Sequence, residues 1–592
     1  MKYMFEAGTG KADITAYKKG VGMMGYGRYS QKVRKIESNL FARAFVFRDT
    51  ISGKKVAFVN AEICFITISI KKGVIGKLQK EYPQLDYDFD NVLLTAQHTH
   101  SAPGGYSHYA LYNFTIPGFV PEVYRKIVDG ITEAIVKADE TMKPSNLYIG
   151  SGVFEPEIDV AFNRSIKAYN ANSDVEKLDE KDNHLAIDRE MTLLRIDGIQ
   201  GDHIGMINWF GVHTTNIGND LNKISSDNKG YASWYFEKSM SECNLDIIAA
   251  FAQRTCGDVT PNFIWEPKRN RIRGKYEDDF ESAKYNGKLQ FDKAKEIFEQ
   301  VGAKQCLIST PETIKTGGID YGLLRVDFSK VQVDNEFTGQ AWHGSKPYHA
   351  YRTGPACLGV SFFKGAKEGR GISDSLSYIA IFLSASVKFY EYLIALFSSK
   401  EKRSKILGKY KIQGRKHIMM EPGERKMFGT GDIKNLFIPS WIDKSIDVFK
   451  KHYRSGGLDD SPWTPVVLQL QIIIIGSIAI AGIPAEITTI AGRRLKKTIL
   501  DILKKRGVTQ VIISSYANAY SGYITTYEEY QVQCYEGGHT IFGKWTLAAY
   551  QTKFKELALE MLKNETERNL DKGVRPVAFT DEELKKRTYA EN

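Results

Sequence analysis

Residues 472–483 constrain this chain more than any other stretch. The run Ile-Ile-Ile-Ile-Gly-Ser-Ile-Ala-Ile-Ala-Gly-Ile is intensely apolar, yet it has only 12 residues, whereas a helix needs about 20 to cross a bilayer. Its β-branched isoleucines, with Gly476 inside and Gly482-Ile483-Pro484 at the end, predict a buried strand. The rest of the chain supports a sheet for it to join. Strand-like runs at 44–47, 56–59 and 92–94 alternate with helical stretches such as 121–138, the pattern of a mixed α/β fold. A helical excursion is expected over 266–304, strands again at 466–480 and 511–514, and a helix from 544 to about 569. No repeat, low-complexity tract or composition shift marks a domain boundary.

At 592 residues the chain is long enough to bury a large core without disulfides or metal. Its 81 Lys+Arg against 70 Asp+Glu leave a net charge of +11. That surplus is spread along the chain and comes with no basic arm, so no nucleic-acid partner is expected. Six scattered cysteines without a CxxC pair suit a reducing compartment. The first eight residues hold no apolar signal core, so a cytoplasmic location is the expectation from sequence. A second apolar stretch, 376–397, is interrupted by Lys388 and Glu391 and followed by Lys400-Glu401-Lys402-Arg403-Ser404-Lys405. It reads either as a buried helix with a solvated basic loop or as an element lying on an anionic membrane.

Five strings carry chemistry. His98-Thr99-His100 follows a strand and precedes Pro103-Gly104-Gly105. In extended backbone the two imidazoles share a face, so one can bind a metal while the other handles protons; two ordinary hydrogen-bonded histidines give the same pattern. His213 closes the apolar run at 209–212. Glu486 follows the most apolar strand, where an ionised carboxylate needs a partner or a cation, unless it merely opens the next helix. Two histidines and a glutamate are a common ligand set for hydrolytic zinc. Cys256-Gly257-Asp258-Val259-Thr260-Pro261-Asn262 presents a hydroxyl at Thr260 that a base can activate, or it is a turn in which Asp258 bonds local backbone. Tyrosines crowd the stretch 520–535, as an amphipathic packed surface also would.

Taken in order, His-Thr-His-Ser-x-Pro-Gly-Gly-Tyr, Gly-Asp-Val-Thr-Pro-Asn, Gly-Ile-Pro-x-Glu-x-Thr-Thr-x-Ala-Gly-Arg-Arg-Leu and Tyr-Glu-Glu-Tyr-Gln-Val-Gln-x-Tyr-Glu resemble the neutral (alkaline, non-lysosomal) ceramidase family. Met24-Gly25-Tyr26-Gly27, Phe162-Asn163-Arg164-Ser165 and residues 226–233 extend the likeness, which runs from about residue 6 to about residue 575. The resemblance implies one zinc ion per chain, held by His98, His213, Glu486 and Tyr523. It implies His100 as the catalytic second histidine, Arg164 as the substrate-orienting arginine and Tyr535 as the oxyanion-stabilising tyrosine. Thr260 stands where the family has its catalytic serine, either attacking or orienting water. The implied reaction is hydrolysis of ceramide, or a related N-acyl sphingolipid, to a sphingoid base and a fatty acid. The alternatives are a zinc amidase for another N-acyl lipid and a catalytically silent lipid-binding homologue.

The implied fold is one large mixed α/β catalytic domain over 1–570, β-sheets flanked by helices. Within it, 372–417 is a variable apolar helix plus basic loop, expected to dock on a peripheral membrane surface. Residues 571–592 are expected to form a loosely packed charged tail. The family's C-terminal immunoglobulin-like domain is not expected in this sequence, and its members often work outside the cytosol or on membranes.

Overall fold

The computed structural model describes residues 5–116, 118–301, 318–338, 351–429, 461–571 and 573–588, with a few positions between 447 and 458. In it the isoleucine run is two strands. Gly476, at φ +58°, takes a conformation that costs a side-chain-bearing residue energy. It folds Val467–Ile475 back on Ile478–Gly482 as an antiparallel hairpin. The expected single strand is corrected accordingly.

That hairpin is the centre of a four-stranded sheet. We number the strands β1 (Phe5–Asp13), β2 (Phe41–Asp49), β3 (Lys55–Ala61), β4 (Val92–Ala96), β5 (Lys143–Val153), β6 (Glu190–Gly198), β7 (His203–Phe210), β8 (Ile248–Gln253), β9 (Ile319–Asp327), β10 (Val467–Ile475), β11 (Ile478–Gly482) and β12 (Gln510–Ser514). The small sheet runs β9-β10-β11-β12 and the large one β8-β7-β6-β5-β1-β2-β3-β4. Most pairs are antiparallel; β3–β4, β7–β8 and β11–β12 are parallel. The longer helices are α1 (Ile68–Glu81), α2 (Pro121–Glu140), α3 (Asp227–Ser241), α4 (Asp279–Val301), α5 (Asp374–Leu396), α6 (Lys400–Gln413), α7 (Thr489–Leu503) and α8 (Thr546–Glu560).

The two sheets face each other through Phe45, Phe58, Trp209, Ile473, Ile480 and Ile512, all buried. Helices α1 to α4 cover the outer face of the large sheet, and α7 and α8 cover that of the small one. The mixed α/β architecture of sheets flanked by helices is thus present, as four layers. Packing dictates composition locally. Gly8 and Gly10 of β1 lie against α2, where a Cβ would come 2.0 Å from the Ala138 carbonyl oxygen and 2.1 Å from that of Ala134. The large sheet curls, bringing its edge strand β8 near β2, β3 and β4; Asn60 Nδ2 donates to the Phe251 carbonyl at 3.4 Å across the curl.

Three further expectations change. The basic stretch after residue 397 is a helix, α6, not a loop, and α5 is largely exposed rather than buried. The C-terminal segment packs: Arg587 is buried, donates to the His108 carbonyl at 2.8 Å and accepts from Phe119 N–H at 2.7 Å. Residues 266–273 begin the excursion as a short hairpin before α4, and 302–304 lie outside the described residues. Five cysteines are free thiols; Cys306 lies outside the described residues.

Candidate active site

Each candidate ligand follows the end of a strand. Strand β4 stops at Ala96, and His98 then takes φ +78°, a left-handed conformation uncommon for a residue with a side chain. The two imidazoles are therefore not aligned by strand alternation, as extended backbone predicted. A kink at His98 and an isolated parallel bridge between Thr99 and Thr214 place them instead. The result still brings His98 Nε2 and His100 Nε2 to 2.9 Å. His213 follows β7, and its main-chain N–H donates to the Val259 carbonyl at 3.2 Å. Glu486 follows β11 and pairs in parallel register with Tyr523, which follows β12. Helix α7 starts only at Thr489, so Glu486 is not the opening residue of a helix.

The tautomers of two histidines follow from their neighbours. His213 Nδ1 lies 2.8 Å from the Val259 carbonyl and His98 Nδ1 2.6 Å from the Cys64 carbonyl. Carbonyls only accept, so both rings donate from Nδ1, and in the neutral tautomer this leaves the lone pair on Nε2. Burial pushes the pKa of His98 down, which keeps that imidazole neutral. Both lone pairs face Glu486 Oε2, at 3.1 Å from His213 and 3.4 Å from His98. Tyr520 donates to Glu486 Oε1 at 2.5 Å and Tyr516 to Oε2 at 3.2 Å, bonds that favour the ionised carboxylate. Three acceptors thus converge in a buried space, an arrangement that repels itself without a cation. Tyr523 Oη adds a fourth atom to the set, 3.5 Å from His213 Nε2.

These separations suit a small divalent ion. Ligands at about 2.05 Å around a tetrahedral zinc stand about 3.3 Å apart, and backbone carbonyls behind histidine ligands are the usual orienting partners. A second group, Cys64 with His98 and His100, shares His98. Burial pushes the Cys64 thiol well up, so it stays protonated and is the poorer ligand.

The remaining predicted residues surround this set. His100 packs its ring edge-on to Tyr26 at 4.6 Å; a Cβ on Gly25, at φ +125°, would come 2.5 Å from His100 Cγ. Burial, then the neighbouring His98 and His213, push the His100 imidazole well down toward the neutral form. Arg164 donates to Glu536 Oε1 (2.8 Å), Glu368 Oε1 (2.9 Å), the Gly257 carbonyl (2.8 Å) and Tyr523 Oη (3.1 Å). Its guanidinium is engaged by protein oxygens and grips the tyrosine. Tyr535 stands 5.5 Å from Tyr523, ring to ring, with the Arg164 guanidinium 5.4 Å over its face; burial pushes its phenol up.

Thr260 is set apart. It is buried and its Oγ1 accepts from Asn262 N–H at 3.2 Å, while the other candidates line a cavity of about 770 Å³ that does not include it. The string around it does turn at Gly257-Asp258, closed by Val259 N–H donating to the Cys256 carbonyl at 3.0 Å, but the Asp258 side chain bonds distant segments rather than local backbone. Asp258 accepts from Thr489 N–H (2.8 Å), Thr489 Oγ1 (2.9 Å) and Asn163 Nδ2 (2.8 Å), and Val259 carries His213. The cavity has the ligand set at one end, with Phe362, Phe363, Ile379, Leu383, Met419 and Met427 among its walls.

Sequence reasoning missed Glu368 and His539, which also line it. Glu368 Oε2 and both ring nitrogens of His539 have no hydrogen-bond partner, and burial pushes His539 down to about 3. His539, in Gly537-Gly538-His539, could have been found as one of only 11 histidines. Glu368 carries no local signal.

A family model described as neutral/alkaline non-lysosomal ceramidase, N-terminal, matches residues 5–429 and 452–552. Neutral ceramidase of Pseudomonas aeruginosa is 33% identical over 558 residues, covering 94% of this chain and 72% of its own length. Neutral ceramidase A of Dictyostelium discoideum is also 33% identical, with the same two coverages. The crystal structure of the Pseudomonas aeruginosa enzyme superposes with a TM-score of 0.73 at 30% identity, covering 95% of this chain and 75% of that one. A structure described as ceramidase complexed with C2 superposes with a TM-score of 0.76 at 31% identity, covering 98% and 78%.

Proposed function

The chain belongs to the neutral/alkaline non-lysosomal ceramidase family and is a hydrolase, and from that premise we propose that it hydrolyses the amide of ceramide with one zinc ion held by His98, His213, Glu486 and Tyr523. The products are a sphingoid base and a free fatty acid. One observation carries the reading: two tautomer-locked imidazole lone pairs and a carboxylate converge at the end of an apolar cavity. An amide lipid needs both features, since its chains require apolar walls and its unactivated amide requires a strong nucleophile and a Lewis acid to polarise the carbonyl.

Bound there, zinc supplies Lewis acidity toward water and toward the amide carbonyl. The protein's own groups do the rest. His100, held neutral beside the ligand set, accepts the proton of the attacking water and returns it to the departing amine nitrogen. The Tyr535 hydroxyl, kept protonated by burial, donates to the carbonyl oxygen as it gains charge, a contribution of about 3 kcal/mol for a well-placed donor. Arg164 fixes Tyr523 and Glu368 and so orients the substrate through them. Water is the attacking group favoured by the placement of Thr260 outside the cavity lining, with its hydroxyl on Asn262.

The test is fatty-acid release from ceramide by purified protein, after chelation and after zinc is restored, with Glu486→Ala alongside. Release that zinc restores in the wild type and not in the variant is expected. Zinc-restored release from another N-acyl lipid but not from ceramide would overturn the substrate assignment. Rapid-quench mass spectrometry should find no acyl adduct on Thr260; an adduct would replace water with the threonine as nucleophile.

A further inference from the structure

Helix α5 is built inside out. Ser377, Ala380, Ser384 and Ala395 face the protein, and Glu391 is ion-paired at 2.7 Å with Lys409 of α6. Its large apolar side chains point outward: Tyr378 is 72% exposed, Phe382 70% and Phe389 66%, and Phe397 just beyond the helix is 90% exposed. An amphipathic helix of a water-soluble surface does the reverse. Ten of the 21 exposed large hydrophobic residues among the described residues fall within 378–397, and clustering of this kind marks an interaction site.

The helix is long and apolar enough to cross a membrane by length and composition. Its inner face argues for lying flat, because Ala380 packs with Val360 and Met419 and Tyr392 packs on Tyr410 of α6 at 5.3 Å. The charge beside it selects the partner. Three residues after Phe397, α6 begins with Lys400-Glu401-Lys402-Arg403. Lys400, Lys402 and Arg403 are exposed and form no ion pair among the described residues. An apolar face flanked by basic residues fits the interface of an anionic bilayer. The surface is also continuous with the cavity: Ile379 (56% exposed) and Leu383 (43% exposed) line its mouth.

We propose that α5, with the basic start of α6, lies on an anionic phospholipid bilayer and opens the cavity directly onto it. A lipid then passes from the bilayer to the ligand set along Ile379 and Leu383 without entering water. The purpose of this docking rests on the ceramide-hydrolase reading; the docking itself is measured without turnover.

The experiment is co-sedimentation of the zinc-loaded protein with phosphatidylcholine vesicles, with and without phosphatidylglycerol. Two variants are compared, Phe382→Ser/Phe389→Ser and Lys400→Glu/Lys402→Glu/Arg403→Glu; none of these residues lines the cavity. Binding to the anionic vesicles is expected, reduced about tenfold or more in each variant. Hydrolysis of ceramide in those vesicles should fall in parallel, while hydrolysis of a soluble short-chain ceramide stays at the wild-type rate. Absence of wild-type binding, or binding by both variants as tight as that of the wild type, would overturn the proposal. So would self-association of the wild type that Phe382→Ser/Phe389→Ser abolishes, since a second copy would then cover the face. Vesicle binding without turnover of either substrate would keep the docking and overturn the ceramidase reading.

Discussion

Glu486 depends most on its surroundings. It is buried, takes hydrogen bonds from Tyr516 and Tyr520, and faces two imidazole lone pairs. Glu486→Gln keeps the shape and removes the charge, so metal affinity should fall about a hundredfold or more, read by competition against a fluorescent chelator. Gly25 makes a different demand. In Gly25→Ala the new methyl would meet the His100 ring, at a φ of +125° that disfavours a side chain. Displacing His100, the group proposed to handle protons, by about 1 Å would cost about a hundredfold in rate. Gly25→Ala should therefore lose kcat by that order with its metal content unchanged, measured by steady-state kinetics and elemental analysis. An equal loss of metal would place the damage in the ligand set instead.

At the scale of elements, burial separates two equally apolar segments. Ile480 of β11 is fully buried between the sheets with Trp209 and Phe58. Ile480→Ala should destabilise by about 2–5 kcal/mol through lost burial and a residual cavity, seen as a lower denaturant midpoint. Phe382 of α5 is 70% exposed, so Phe382→Ser should change stability by no more than about 0.5 kcal/mol in the same measurement. Hydrophobicity along the chain marked both segments as apolar, and it could not tell which face of 376–397 turns inward. That depends on what α6 and residues 418–421 present to it. The Tyr-Glu-Glu-Tyr string likewise reads differently in place. Glu529 closes a capping box with Thr526 and accepts from Thr488 at 2.6 Å, tying the segment to the start of α7.

Across the whole molecule, Asp320 of β9 joins distant parts. It takes ion pairs from Lys54 at 2.9 Å, Arg568 at 2.6 Å and Arg506. Burial pushes its carboxyl up, but the hydrogen bond from Arg568 and the charges of Arg506 and Lys54 overcome that and hold it at about 2. A depressed carboxyl stabilises the folded state above its unfolded pKa and loses that contribution as pH falls through the folded value. Asp320→Asn should thus cost about 2 kcal/mol at neutral pH, and the gap to wild type should close between about pH 4 and pH 2. Thermal melting across that range checks it. Chelation should lower the melting temperature and added zinc restore it, because an ion bound only by the folded state stabilises that state.

The sequence by itself determined the sheet-forming runs, the family-like order of motifs and seven of the residues that line the cavity, His98, His100, Arg164, His213, Glu486, Tyr523 and Tyr535. Those signals are local, set by residue type and short spacing: His98-Thr99-His100, Gly482-Ile483-Pro484-Ala485-Glu486 and the tyrosine cluster are readable without coordinates. Tertiary structure decided how they meet. The left-handed turn at His98, the pairing of Glu486 with Tyr523, the grip of Arg164 on that tyrosine and the place of Thr260 outside the cavity all depend on distant segments. So do the Arg164-paired Glu368, the unpartnered ring nitrogens of His539, the packed C-terminal segment and the outward face of α5. The reason is physical: convergence and burial are properties of pairs of surfaces, and a single stretch of chain specifies only one member of each pair.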